Sequence, residues 1–315
     1  MSACSRQLVK PAAVRPGDTI GIVAPASNVN RSELEAGCEA LRRAGYKPFY
    51  LDSIFDRDLY FAGSPARRAR ELEDMFELED VHAIICARGG YGSNYLLEEV
   101  DFQKINANPK IFVGYSDVTT LMTRFLDAAG LVTFHGPMVA KDWAHKGGVE
   151  MSSFQLALTQ VAPWDVPLNH ELTVLTEGEA EGVLYGGCLS ILVASLGTPH
   201  EIKTAETILF LEDIGTKPYQ VDRMLMQLKL GGHLREVRGL IFGEMLDCVQ
   251  SATQDYTLHE VITRIVRDLN IPIVYGVRSG HASSGNITLP FGVRAKLKVS
   301  NSTVNLRILE SAVTV

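Results

Sequence analysis

The chain has no CxxC pair. Its five cysteines, Cys4, Cys38, Cys86, Cys188 and Cys248, are scattered and odd in number. That pattern excludes a disulfide framework and a zinc site, and fits reduced, buried thiols in a cytoplasm. No apolar run approaches the ~18 residues of a membrane helix. The first residues, MSACSRQLVKPAAVRPGD, show no continuous apolar stretch of the secretory kind. Basic excess is also lacking: the net charge is −7 and the pI about 5.7, so nucleic acid is not an expected partner. There is no GxGxxG and no GK[ST], which removes the dinucleotide and P-loop fingerprints. There is no HExxH and no cluster of His and Asp at ligand spacing, so neither a metal nor any other cofactor is expected. No internal repeat or low-complexity tract is visible.

What is present is an ordinary globular mix of 46% hydrophobic and 21% charged residues over 315 positions, long enough for two domains. In the first half, short apolar runs alternate with amphipathic stretches. TIGIVAPAS reads as a strand and SELEAGCEALRRAGY as a helix, with Leu34, Cys38 and Leu41 on one face and Gly45 at its end. Ser64-Pro65 supplies a cap and a first-turn proline for the next helix. VHAIICARGG, KIFVG and LVTFHGPM read as strands, and SNYLLEEV and VTTLMTRFLDAAG as helices. This alternation predicts an α/β fold with a parallel sheet covered on both faces. Residues 146–172, with Pro163 and Pro167, read as a linker between an N-terminal domain at 1–145 and a C-terminal domain at 173–315. The second domain continues the alternation, and its tail, NITLPFGVRAKLKVSNSTVNLRIL, reads as β-hairpins with Asn301 near a turn.

Ligands of parallel sheets gather at the carboxyl ends of strands. Four loops lie there: ARGGYGS, GYSD, LEDIG and RSGHASSGN. Ser116, in IFVGYSDVTTL, sits on a strand-to-helix corner. It is either a helix cap or a nucleophile whose oxyanion would meet the backbone N–H of Asp117. The stretch is not GxSxG, because Val118 stands where the second glycine would be. A nucleophile needs a base and a residue to orient it. Of eight histidines, His82, His145, His170, His200, His233 and His259 lie in strand-start, linker, turn or helix contexts. His281 follows a strand among small residues, and His135 is its competitor. Glu212 and Asp213 end the run TILFL, and Glu244 is a second possible carboxylate. The glycine loop can present N–H groups to an anion, and Arg88 is either a carboxylate clamp or a packed strand-end arginine.

Taken together and in order, RGGYG, GYSDVTTL, TFHGPM, YGGCLS, LFLEDIGTKPYQVDRML and SGHASSGNITLPFG resemble the serine LD-carboxypeptidase family, which spans muropeptide LD-carboxypeptidases and microcin C self-immunity hydrolases. The resemblance covers nearly the whole chain, from GDTIGIVAPAS to LPFG. It implies a flavodoxin-like N-terminal domain, a smaller strand-rich C-terminal α/β domain, and a homodimer. It also implies a triad of Ser116, Glu212 and His281, oxyanion donors at Asp117 and Gly90, and substrate contacts at Arg88, Gly89 and Tyr91. The implied reaction is removal of the terminal D-alanine from a muropeptide tetrapeptide. Cleavage of a peptidyl-nucleotide amide is the alternative, for which Trp143 and Trp164 could offer an aromatic platform. A binding module without catalysis is the reading from another class. One departure stands out: Cys188 occupies the place where the family commonly has asparagine.

Overall fold

The computed structural model describes residues 8–160, 163–168, 171–250, 254–301 and 303–315, so Cys4 and His170 lie outside the described residues. Five of the six strands of the first sheet follow the order expected of a flavodoxin-like half. They are Thr19–Val23 (β1), Lys47–Phe49 (β2), Val81–Cys86 (β3), Ile111–Gly114 (β4) and Thr133–His135 (β5). All are parallel, in the spatial order β2-β1-β3-β4-β5. β1, β3 and β4 are buried along almost their whole length, as strands covered on both faces must be. The helix at Arg31–Arg43 starts from the Asn30 carbonyl side chain and buries Leu34, Cys38 and Leu41. The helix at Pro65–Glu77 starts from the Ser64 hydroxyl with proline in its first turn. Both follow the pattern read from the sequence.

The stretch 93–100 departs from that pattern. It makes only a short 3-10 turn, Ser93–Leu96, in place of a helix. The reason is tertiary. The Ser93 N–H donates to the buried Asp117 carboxylate at 2.7 Å, and the Gly92 carbonyl accepts from the buried Arg68 guanidinium at 2.8 Å. The chain here is tied to side chains instead of to its own next turn.

The second sheet has eight strands. Trp164–Asp165 (β6), Thr173–Thr176 (β7), Gly178–Cys188 (β8), Thr207–Glu212 (β9), Gly239–Gly243 (β10) and Ile273–Val277 (β11) are joined by Arg294–Val299 (β13) and Val304–Ile308 (β14). The order is β6-β14-β13-β8-β9-β10-β11-β7, with a parallel centre from β8 to β11 and antiparallel flanks. Residues 146–172 hold a helix, Met151–Thr159, and the short edge strand β6.

The tail corrects one expectation. β13 and β14 form the hairpin, with Asn301 in its turn, but Leu289–Phe291 (β12) does not join them. It crosses to the first sheet and pairs antiparallel with β5, Leu289 opposite His135. Hydrophobic patterning marks a strand but not its partner, because pairing is decided by long-range packing. One core runs from Ile20 and Phe112 in the first sheet through Phe291 to Phe210 and Val274 in the second. A smaller core lies beneath the helices Pro218–Leu230 and Leu258–Val266. No helix among the described residues is long and apolar enough to cross a membrane.

Candidate active site

Strand β4 ends at Gly114, and the chain turns into a 3-10 turn at Ser116–Val118 that continues as the helix Thr119–Arg124. Ser116 has φ +62°, in the left-handed region that side chains avoid at a cost of about 1–3 kcal/mol. A capping serine has extended backbone. Here the capping position belongs to Tyr115, with φ −160°, and no side chain caps the turn. The cap reading of Ser116 is therefore excluded, and what is left is a hydroxyl held on a strained corner. The missing second glycine is also explained. A methyl group at Gly114 would lie 2.7 Å from Val118 Cγ1, so Gly114 makes the room that lets a buried valine stand at 118.

The glycine loop closes over this corner. A methyl at Gly89 would lie 2.8 Å from Ser116 Cβ and 3.0 Å from its Oγ. Gly90, at φ +115°, packs on Ser27, whose Oγ accepts the Tyr91 N–H at 3.1 Å. The Asp117 side chain points away from the corner and braces the loop through Ser93. Burial pushes its carboxyl upward, against the pull of the N–H donors of Ser93 and Gly92.

On the other side, β9 delivers Glu212, which is fully buried. Its Oε2 accepts from His281 Nδ1 at 2.7 Å and from the His281 backbone N–H at 3.0 Å. Burial alone would lower the His281 pKa. The Glu212 charge and hydrogen bond, reinforced by Asp213 and Asp142, outweigh it and hold the imidazole above its ordinary value. Tyr115 sets its ring edge-to-face against His281, with centroids 5.0 Å apart. Asp213 turns to the local chain, accepting from the N–H groups of Ser190 and Ile214 and from Thr216 Oγ1. Glu244 is a loop brace, binding Arg278 at 3.2 Å and the Ser283 N–H at 2.6 Å. His135 is wholly buried, and burial, then the His281 charge, press its pKa down to about 3. It stays neutral and out of reach of solvent, so it is not the competing base.

Ser116 and His281 line one cleft of about 520 Å³ together with Arg88, Gly89 and Gly90. Arg88 is half-buried. One guanidinium N–H donates to the Asn28 carbonyl at 3.3 Å, while its Nε is buried without a protein partner among the described residues. Tyr91 lies outside this cleft. It lines a smaller neighbouring cavity and lies tilted against the exposed ring of Tyr60 and edge-to-face with that of Tyr95. Sequence reasoning passed over Lys141 and Asp142 and set His145 aside as structural; all three line the cleft. Asp142 accepts from the Met138 N–H at 2.8 Å and from Asn286 Nδ2 at 3.1 Å, and burial raises its pKa to about 6. An isolated aspartate just ahead of the stretch read as linker carries no signal by which it could have been found.

Cys188, the departure from the family pattern, ends β8 beside the pair. Its N–H donates to Thr119 Oγ1 at 3.1 Å, joining the second sheet to the helix behind Ser116. Its Sγ, a Glu212 oxygen and a His281 nitrogen lie within 4.8 Å of one another, the spacing of a small metal site. Burial first, then the charges of Glu212 and Asp213, keeps the thiol well up in its protonated form. The carboxylate and imidazole are already bonded to each other. The residues therefore fit a hydrogen-bonded cluster better than a thiolate ligand set. Trp143 and Trp164 are both buried, Trp143 against Phe154, so neither offers the cleft an aromatic platform.

The fold and cleft define a two-domain α/β protein in which a strained serine shares a cleft with a buried carboxylate–imidazole pair. Comparison with known families places it further. The family models described as LD-carboxypeptidase N-terminal domain and LD-carboxypeptidase C-terminal domain match residues 20–136 and 181–297. The chain belongs to the LD-carboxypeptidase family and is a peptidase of the carboxypeptidase type. It is 36% identical over 300 residues to a probable murein peptide carboxypeptidase of Bacillus subtilis, covering 93% of each chain. It is 30% identical to the microcin C7 self-immunity protein MccF of Escherichia coli, over 95% of each chain. Among solved structures, it resembles MccF in its apo state with a TM-score of 0.89 at 26% identity, covering 97% of this chain and 100% of that one. It resembles muramoyltetrapeptide carboxypeptidase from Oxalobacter formigenes with a TM-score of 0.81 at 31% identity, covering 93% and 99%.

Proposed function

We propose that the chain is a serine LD-carboxypeptidase that removes the terminal D-alanine from muropeptide tetrapeptides. The observation that carries this reading is Ser116, held at φ +62° without a capping role, in the same cleft as an imidazole bound to a buried glutamate. Ser116 Oγ attacks the amide carbonyl and His281 Nε2 takes its proton. Glu212 fixes the tautomer through Nδ1 and stabilises the imidazolium. The backbone N–H groups of Asp117 and Gly90 receive the oxyanion. His281 then protonates the leaving amine, and water releases the acyl-enzyme. Arg88 grips the terminal carboxylate, a role that its place on the cleft wall supports. The family habit brings with it a homodimer acting in the cytoplasm. Release of free D-alanine from a muropeptide tetrapeptide tests the reading, and its absence with folded protein would overturn it.

The microcin-type alternative draws on the similarity to MccF. The burial of both tryptophans weighs against it. Aspartyl sulfamoyl adenosine, a ligand of MccF, separates the two: faster cleavage of that compound than of the tetrapeptide would favour the immunity reading. Labelling by a serine-directed phosphonate separates both from a binding module, which would leave Ser116 unmodified.

Two predictions arise from the cleft. His281 must be neutral to act as a base. Because its pKa is held above the ordinary value of 6.5, activity should fall on acidification with a midpoint above 6.5. A kcat/KM profile with its acid limb below 6.5 would contradict this assignment. Gly89→Ala places a methyl 2.8 Å from Ser116 Cβ and 3.0 Å from its Oγ, closer than contact, so the serine must shift. Displacing a reacting atom by an ångström costs about 100-fold, so kcat/KM should fall by that order while the circular dichroism spectrum is unchanged.

A further inference from the structure

We propose that His135 is a positioning residue for the reaction, the second anchor of Glu212. The inference rests on the triad reading above. Glu212 Oε2 takes both hydrogen bonds from His281. Its other oxygen, Oε1, is buried with no hydrogen-bond partner among the described residues, and so is His135 Nε2. These two orphans face each other across 3.9 Å. Buried polar groups without partners are rare, and two aimed at each other form an arrangement that asks for an explanation.

The tautomer of His135 follows from its surroundings. A lone pair on Nε2 would confront the lone pairs of an anionic oxygen, so the proton sits on Nε2. Nδ1 is then the acceptor, and Ser279 Oγ, 2.8 Å away, donates its hydroxyl proton to it. The ring cannot turn away. It is stacked on Phe291 at 5.3 Å, lies 5.0 Å from Phe210, and its backbone is held in β5 opposite Leu289. Gly280, at φ +86°, makes the approach possible, because a methyl there would lie 2.7 Å from both Glu212 Cδ and His135 Cε1. The arrangement is therefore built from four elements: β5, β9, β12 and the loop before it.

The chemistry gives the N–H a task. When His281 accepts the serine proton, Glu212 must remain anionic and still. One oxygen is engaged by the imidazolium, and the other has only His135 to hold it. Bonds of this kind are commonly long without substrate and tighten in the reacting complex. Other titratable groups around the pair are Asp213, Asp142 and Tyr115, which bias His281 or lie near its ring, and Cys188, whose thiol stays protonated. Among the groups around Glu212, only His135 and His281 offer a ring N–H to its carboxylate.

The test uses the full chain and a muropeptide tetrapeptide, with D-alanine release as the readout. His135→Phe keeps a ring but no N–H. Its kcat should fall by about 10- to 100-fold, the loss expected for one hydrogen bond to a charged group, with KM within about twofold. Without the N–H dipole the site is more negative, so the acid limb of the pH profile should move to higher pH. His135→Gln restores a donor near the Nε2 position and should recover most of kcat, while His135→Asn, which reaches only the Nδ1 position, should not. Equal damage in the Phe and Gln variants, or an unmoved acid limb, would overturn the inference. If the Phe variant does not fold, ring-nitrogen NMR on the native protein decides: a proton on Nε2 of His135 is expected, and a proton on Nδ1 overturns it. An inactive Ser116→Ala protein beside a fully active His135→Phe protein sinks this inference alone. An active Ser116→Ala protein sinks the triad reading beneath it.

Discussion

Ser116→Ala is expected to lower D-alanine release by about 10⁴-fold or more, the usual loss for a nucleophile acting in a triad, with the fold unchanged. The same position yields a second, independent reading. Ser116 carries a side chain at φ +62°, and glycine adopts that conformation without the steric cost. Ser116→Gly removes strain worth about 1–3 kcal/mol and adds unfolded-chain freedom worth about 0.5–1 kcal/mol. The glycine variant should thus be as inactive as the alanine variant and at least as resistant to denaturant. A retained D-alanine signal in Ser116→Ala would remove the nucleophile assignment. A glycine variant markedly less stable than Ser116→Ala would show that the corner is not strained. Inactivity joined to preserved or improved stability is what separates a working residue from a structural cap, since loss of a cap typically costs about 1 kcal/mol.

Glu212→Gln is the second large effect, and its sign can be worked out. The substitution keeps the volume of a fully buried side chain and removes its charge. It also offers an amide N–H where His281 Nδ1 now donates, favouring the wrong imidazole tautomer. A loss of about 10⁴-fold in kcat is expected, as when the orienting carboxylate of a serine triad is neutralised. The main upward pull on His281 is removed, leaving only Asp213 and Asp142, so its pKa should drop and any residual activity should persist to lower pH than in the native protein. Imidazole titration by NMR reads this directly. A Gln variant whose His281 titrates where the native residue does would mean that the carboxylate does not set the imidazole, and the pairing would have no catalytic meaning.

The parts of this site that were legible in the sequence were the ends of apolar runs. Ser116, Glu212 and the small-residue loop around His281 all stand where a strand stops, and strand ends are where a parallel sheet exposes side chains. What was not legible was whatever depends on a partner distant in the chain. IFVGYSDVTTL taken alone favours a cap, because the backbone angle that separates cap from nucleophile, φ +62° at Ser116, leaves no mark in the sequence. SNYLLEEV has a helical pattern, yet the Asp117 carboxylate and Arg68 capture its first residues. LPFG has the pattern of a hairpin strand, but its partner is β5. Trp143 sits in a polar stretch and still packs against Phe154, since neighbours in sequence do not report neighbours in space.

The crossing of β12 has a consequence for how the two halves can move. His281 hangs on a loop that leaves the second sheet at Val277 and is fastened to the first sheet at Leu289–Phe291, before the chain returns to the second sheet at Arg294. The base is thereby tethered to the half that holds the serine, while its glutamate belongs to the other half. A hinge motion opening the cleft would have to peel an edge strand away or pull His281 off Glu212. Sheet exchange thus works as a latch: the two halves, although successive in the chain, are stitched together by a strand that one lends to the other.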